Sequence, residues 1–293
     1  MMTADSSDSM FDVPRLLDRS SVRPPAAWMW PAAAIMLAAA VLGGIVPSTG
    51  AIIEPQLLVS AAMMGLFAVL GLGAMRAARA LAAEHDAVRQ ANELVRLRRW
   101  PEAAAALERL LSRPMHTHHG RLHALMCLGA VLTRYHRYAD AAAVYDYLLE
   151  QPLDAASQHA MRVGRAMVLL YDDRLYDADR AISELRRGEM AAESAPLALV
   201  EIYRHVKTGH PDDALAVFEA KKHLLAAQLG VRTGDVLALV ARAHDMLGNT
   251  DRARQAYADA TVLVPPEELF RRYPETAALA GRYQAAARPA EAA

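Results

Sequence analysis

From Pro24 to Ile53 the chain carries no charged residue, and after one interruption at Glu54 it is uncharged again from Pro55 to Met75. A helix rises about 1.5 Å per residue, so a hydrocarbon core of roughly 30 Å takes about 20 apolar residues. Two spans fit, residues 26–46 and 56–75, joined through Pro47-Ser48-Thr49-Gly50, residue types that favour a tight turn. Trp28 and Trp30 fall at the entrance of the first span, where an indole gains from having its ring in lipid and its N–H among headgroups. Ala61, Gly65, Gly43 and Gly44 are small enough to let two such helices touch.

Basic residues set the expected orientation. Arg15, Arg19 and Arg23 precede the first span, Arg76, Arg79 and Arg89 follow the second, and the joint between the spans has no Lys or Arg. By the positive-inside rule both ends face the cytoplasm, which predicts a multi-pass protein of the cytoplasmic (inner) membrane in contact with the lipid bilayer. A cleaved signal peptide would need a basic start and a shorter apolar core. Here residues 1–25 contain four Asp and three Arg, and a second span follows. That polar stretch is expected to be a disordered cytoplasmic tail.

Beyond residue 83 the pattern changes to amphipathic helices with a recurring motif. The segments 98–114, 136–152, 208–224 and 247–263 each begin with a turn, then place an alanine and, four residues later, a large apolar residue. The pairs are Ala103 with Leu107, Ala141 with Tyr145, Ala214 with Phe218 and Ala253 with Tyr257; a degenerate fifth copy aligns Ala181 with Leu185. The alanines are then 38, 40, 33 and 39 residues apart. A single helix pair cannot bury its apolar face, but stacked pairs share one continuous core, and a small residue at each crossing lets the helices approach. Leu128-Gly129 and Val240-Ala241 place further small residues in the helices preceding Ala141 and Ala253. Leu269, Phe270, Tyr273, Leu279 and Tyr283, in 266–288, recur at helical intervals and predict a closing helix.

Over residues 84–266 this pattern resembles the tetratricopeptide repeat family, here in a membrane-anchored bacterial form, with Pro265 at the family's closing position. The resemblance implies an all-α protein: a two-helix transmembrane hairpin, then a repeat solenoid over 83–288 of about five helix pairs plus a capping helix. It implies a peptide groove lined by the first helix of each pair. Carried over position by position, the groove comprises Asn92 and Arg96, then His123, Thr133 and Arg134, then Arg165, then Tyr203 and Lys207, then Arg242 and Asp245. The carboxylate clamp of chaperone-binding members is not reproduced, because Cys127 stands where a second asparagine is expected.

The expected function is a scaffold or adaptor that holds a protein or peptide partner at the membrane, with the arginines favouring an acidic or carboxylate-ended peptide. Two other readings stay open: a self-associating structural subunit forming a homo-oligomer, and an accessory subunit of a membrane enzyme or of an envelope-assembly or secretion complex. With 32 basic against 33 acidic residues the chain lacks the basic surplus of a nucleic-acid binder. One cysteine, Cys127 in an apolar run, excludes an internal disulfide and predicts a buried thiol. His116, His118, His119 and His123 crowd one junction without a neighbouring carboxylate in sequence, and Asp172, Asp173, Asp177 and Asp179 lack the glycine and terminal glutamate of a calcium loop. No phosphate-cradling loop, nucleophile elbow or metalloprotease helix is present, so no enzyme activity, metal or cofactor is expected.

Overall fold

The computed structural model describes residues 11–23, 55–188 and 190–284. The expected first span, residues 26–46, and the turn after it lie outside the described residues. Among those described, the chain is helical with no strand; a single parallel bridge joins Val22 to Met115. The helices are α1 (Val13–Arg19), α2 (Pro55–Arg96), α3 (Trp100–Leu111), α4 (His118–Arg134), α5 (Tyr138–Leu149), α6 (Ala155–Tyr171), α7 (Leu175–Arg186), α8 (Ala195–Lys207), α9 (Pro211–Leu229), α10 (Thr233–Met246), α11 (Thr250–Leu263) and α12 (Pro266–Arg272).

One turn recurs five times. Arg98, His136, Asp173, Gly209 and Gly248 all take positive φ, between 57° and 78°, and each stands two residues before the start of α3, α5, α7, α9 or α11. The next backbone N–H reaches back five residues: Arg99 to Leu94, Arg137 to Leu132, Arg174 to Leu169, His210 to His205 and Asn249 to His244, all at 2.9–3.0 Å. This left-handed residue and its closing bond end a helix by satisfying carbonyls that have lost their own partners. Thr117, Asp154 and Ser194 then cap α4, α6 and α8, each side chain accepting from an N–H three residues on.

The recurring turn corrects the sequence alignment of the third copy. Five residues after the left-handed position come Ala103, Ala141, Ala178, Ala214 and Ala253, so the equivalent alanine is Ala178, with Ile182 as its large partner. Spacings become 38, 37, 36 and 39. Ala181 and Leu185 lie one helical turn further along the same face and are buried too, which is why the slipped register looked acceptable. All five alanines of the corrected register are buried to 0% exposure.

The chain divides into two compact units, Met1–Val144 and Tyr145–Ala293. In the first, α2 is 42 residues long without a break, about 63 Å at 1.5 Å per residue. It packs against α3 and α4 towards its C-terminal end, where Glu84, Val88 and Ala91 are buried, while Met64, Phe67 and Leu72 nearer its start are exposed. The expected boundary at residues 76–82 is therefore not a linker but continuous helix.

Residues 11–23 are folded, contrary to the expectation of a disordered tail. Phe11, Val13 and Leu16 are buried, α1 packs on α3, and the buried Arg121 donates to Ser20 Oγ (3.1 Å) and to the Leu17 carbonyl (2.6 Å). Its apolar signal is one helical turn long, too short to register as a period.

In the second unit α6, α8 and α10 form the core with Leu169, Leu170, Leu199, Ile202, Val236 and Leu239. Among the described residues two stretches are long and apolar enough to cross a membrane, Met63–Arg96 and Pro211–Met246. Only 6% of the first stretch's apolar window is buried, against 50% for the second. The second is broken at Gly230, where φ is 54°, into α9 and α10, which pack on one another as core helices.

Candidate functional site

The ten residues placed in a groove by resemblance fall five in each unit. In the first unit Asn92 is half-buried, with its carbonyl 3.9 Å from the Cys127 thiol, and burial pushes that thiol up to about 11, so it is no nucleophile at neutral pH. Arg96 is exposed on α2. His123 lies on α4 with its ring 5.3 Å from His119, Thr133 bonds back to the Gly129 carbonyl, and Arg134 stacks on Trp100 with its guanidinium 5.7 Å from the ring centre.

In the second unit Arg165 does not join the others. It pairs with Asp146 at 2.5 Å and lines a small cavity with Leu149, Arg162, Ala181 and Glu184. Tyr203, Lys207 and Asp245 meet a further segment of the same chain, residues 266–284, and Arg242 braces Asp245 from its own helix. The expected single closing helix is broken at Pro274 into α12, a tight turn (Pro274–Thr276) and two short helical turns (Ala277–Leu279 and Ala280–Gln284). Its residues cross α8 and α10.

Tyr273 is fully buried, its ring 5.0 Å from Tyr203 and 6.1 Å from Tyr171. Burial pushes Tyr171 up to about 12 and Tyr273 well above the ordinary tyrosine range, so both are neutral phenols at physiological pH. Glu275 accepts from the Tyr203 hydroxyl (3.3 Å) and pairs with Lys207 (3.2 Å), whose ammonium also reaches Asp173 (2.8 Å). Arg272 meets both oxygens of the fully buried Asp235, at 2.7 and 2.9 Å, and also pairs with Glu268. Ten residues on, Arg282 pairs with Asp245 at 2.6 Å while the Tyr283 hydroxyl donates to the same carboxylate at 3.0 Å and Arg242 holds its other oxygen at 2.8 Å. Burial alone would raise the Asp245 carboxyl; the bonds from Arg282, Tyr283 and Arg242 outweigh it and hold the carboxyl below its usual range.

The chemistry of this face is recognition of cations and phenols. It offers two buried carboxylates, one ammonium and an aromatic slot. Sequence reasoning found Tyr203, Lys207, Arg242 and Asp245 but missed Asp235, Arg272, Glu275 and Arg282. The available signal was arithmetic: Arg272-Tyr273 and Arg282-Tyr283 are ten residues apart, as are Asp235 and Asp245.

Elsewhere, His116 Nδ1 lies 3.2 Å from the Arg23 carbonyl, to which its N–H tautomer donates, and Asp173, Asp177 and Asp179 pair with Lys207, Arg174 and Arg204. Among the described residues no group of three or more His, Cys, Asp or Glu is placed to hold a metal ion. Comparison with protein-family profiles, with curated proteins and with solved structures returns no match to this chain.

Proposed function

We propose that this chain is a non-catalytic docking protein of the membrane, which recruits a partner to helix pairs held close to the bilayer. The observation that carries the reading is α2. It runs unbroken from an exposed apolar half, where Met64 and Phe67 are 71% and 65% exposed, into the packed helix pairs of the first unit. Exposed residues of that kind are costly in water and at home in lipid. With no linker, a bilayer around the first half of α2 fixes the distance of the first unit from the membrane surface and confines it to two dimensions, which raises local encounter concentration.

The docking face of the first unit is that of α2 and α4, carrying Arg96, His123 and Arg134. Its occupant is an acidic or carboxylate-ended peptide, since guanidinium groups match carboxylates in a two-pronged geometry. The test uses the full chain in lipid nanodiscs and a fluorescein-labelled hexaglutamate with a free C-terminal carboxylate. The chain is expected to bind it, and Arg96→Glu with Arg134→Glu to weaken binding at least tenfold. Equal binding by both forms contradicts the reading.

A further inference from the structure

We propose that the second unit is a reader of basic–aromatic peptide segments, with residues 266–284 as its resident, exchangeable occupant; this rests on the docking reading and extends it to a partner of opposite charge. Asp235 and Asp245 are ten residues apart on α10, about 15 Å along a helix, and the Arg-Tyr pairs that meet them are ten residues apart in the terminal segment. Segment and helix therefore run in the same direction, one arginine per aspartate, with Tyr283 adding its hydroxyl at Asp245 and Tyr273 packing on Tyr203. Between the two arginines Glu275 answers Lys207 and Tyr203.

Two features make the segment an occupant rather than a further repeat. It is built from a helix of seven residues and three shorter turns, interrupted at Tyr273, which is extended at φ −130° and ψ 82°, and it is anchored by the buried Leu269, Tyr273, Thr276 and Leu279. Ala277, Ala278 and Gly281 are exposed, and the Arg282 side chain is 60% exposed although its partner Asp245 is 2% exposed. Short helical turns joined through an extended residue open locally before long packed helices do. Once open, the segment takes Arg272, Arg282 and the Tyr283 hydroxyl with it, leaving Asp235 with Arg232 at 3.4 Å and Asp245 with Arg242 at 2.8 Å, so each carboxylate has acceptor positions that an incoming cation or phenol can fill. The face is thus selective for whatever brings arginine and tyrosine together. An acidic peptide is excluded there by α10.

Hydrogen exchange on the full chain in nanodiscs tests the first half: amides of residues 268–283 are expected to exchange at least tenfold faster than those of α8. Equal protection overturns the proposal. A labelled synthetic peptide of residues 266–284 tests the second half. It is expected to bind the full-length Arg282→Ala variant at least tenfold tighter than the unaltered chain, and a peptide with both Arg-Tyr pairs changed to Glu-Ala is expected not to bind. Binding that ignores those changes, or no gain in the variant, overturns it. Should Arg282→Ala lose helical signal, Tyr283→Phe, which removes one hydroxyl, serves instead. Dimer formation without peptide uptake assigns the occupant to a second copy and likewise overturns the peptide partner. Hexaglutamate binding reports on the first unit, so failure there and failure here are told apart.

Discussion

Each unit is closed by an end of the chain, and the two closures differ in chemistry. In the first unit residues 11–23 are held by mostly backbone and neutral groups. Arg121 donates to a carbonyl and a hydroxyl, the Arg23 N–H meets the Met115 carbonyl at 2.8 Å, and the buried Glu84 accepts from the N–H groups of His116 (2.5 Å) and Thr117 (3.0 Å). The loop 115–117 is thus held on one side by residues that precede the expected spans and on the other by α2, the helix that contains the second of them. In the second unit the closing segment is held by three pairings of opposite charge, Arg272 with Asp235, Glu275 with Lys207 and Arg282 with Asp245. Bonds to backbone are indifferent to salt and to moderate pH, whereas charge pairs respond to both. The first closure has the chemistry of a fixture, the second that of a latch.

The comparison is broken most forcefully at Tyr273. Tyr273→Ala empties a site buried on all sides and is expected to cost about 3–5 kcal/mol, read as a lower denaturation midpoint for the second unit, with exchange in α3 and α4 unchanged. Arg121→Met is expected to cost about 2–3 kcal/mol and to release residues 11–23, because it removes the guanidinium that donates to the Leu17 carbonyl and to the buried Ser20 hydroxyl and leaves only the 3.4 Å bond between those two. If that variant instead loosens residues 268–283, the two closures are not independent.

Titration separates them further. A buried tyrosine whose folded value is raised stabilises fully below its ordinary value near 10, and that stability is lost as pH climbs towards the folded value, about 12 for Tyr171. The latch is therefore expected to open between about pH 10 and 12 with rising tyrosinate absorbance. Asp245 acts at the other end: its lowered value gives stability present above about pH 4, lost as pH falls through the folded value. The first closure is expected to hold through the alkaline window.

The smallest effect concerns the shared turn. A Cβ at Gly248 would meet nothing within 4 Å, so Gly248→Ala isolates the cost of φ 75°, about 1 kcal/mol, measured as a shift in midpoint.

What the sequence revealed depended on how far each signal reached. The alanine motif was legible because burial forces small residues at every crossing, and four of five copies were placed in register from it. The third copy slipped by one turn since Ala178 and Ala181 share a face. The turns themselves were partly hidden: Gly209 and Gly248 advertise a left-handed position, whereas Arg98, His136 and Asp173 adopt it without any compositional mark. Tyr203 and Lys207 on α8 and Asp245 on α10 were singled out by resemblance to repeat positions, but what covers them is set by pairings 37 to 72 residues away, invisible to local pattern. The pairing of Arg165 with Asp146 is likewise not visible in the phase of its own helix.

The account depends most on α2 being one helix that begins in lipid and ends in the first helix pairs. Spin labels placed singly from Met63 to Arg96 in the full chain, reconstituted in nanodiscs, read oxygen against aqueous-reagent accessibility at each position. The account predicts lipid-like accessibility through Met75, a change of sign around Arg76–Arg79, and beyond Glu84 an oscillation of about 3.6 residues as one face meets α3 and α4. Aqueous accessibility along the whole helix, or a break in the period between residues 76 and 84, would contradict it.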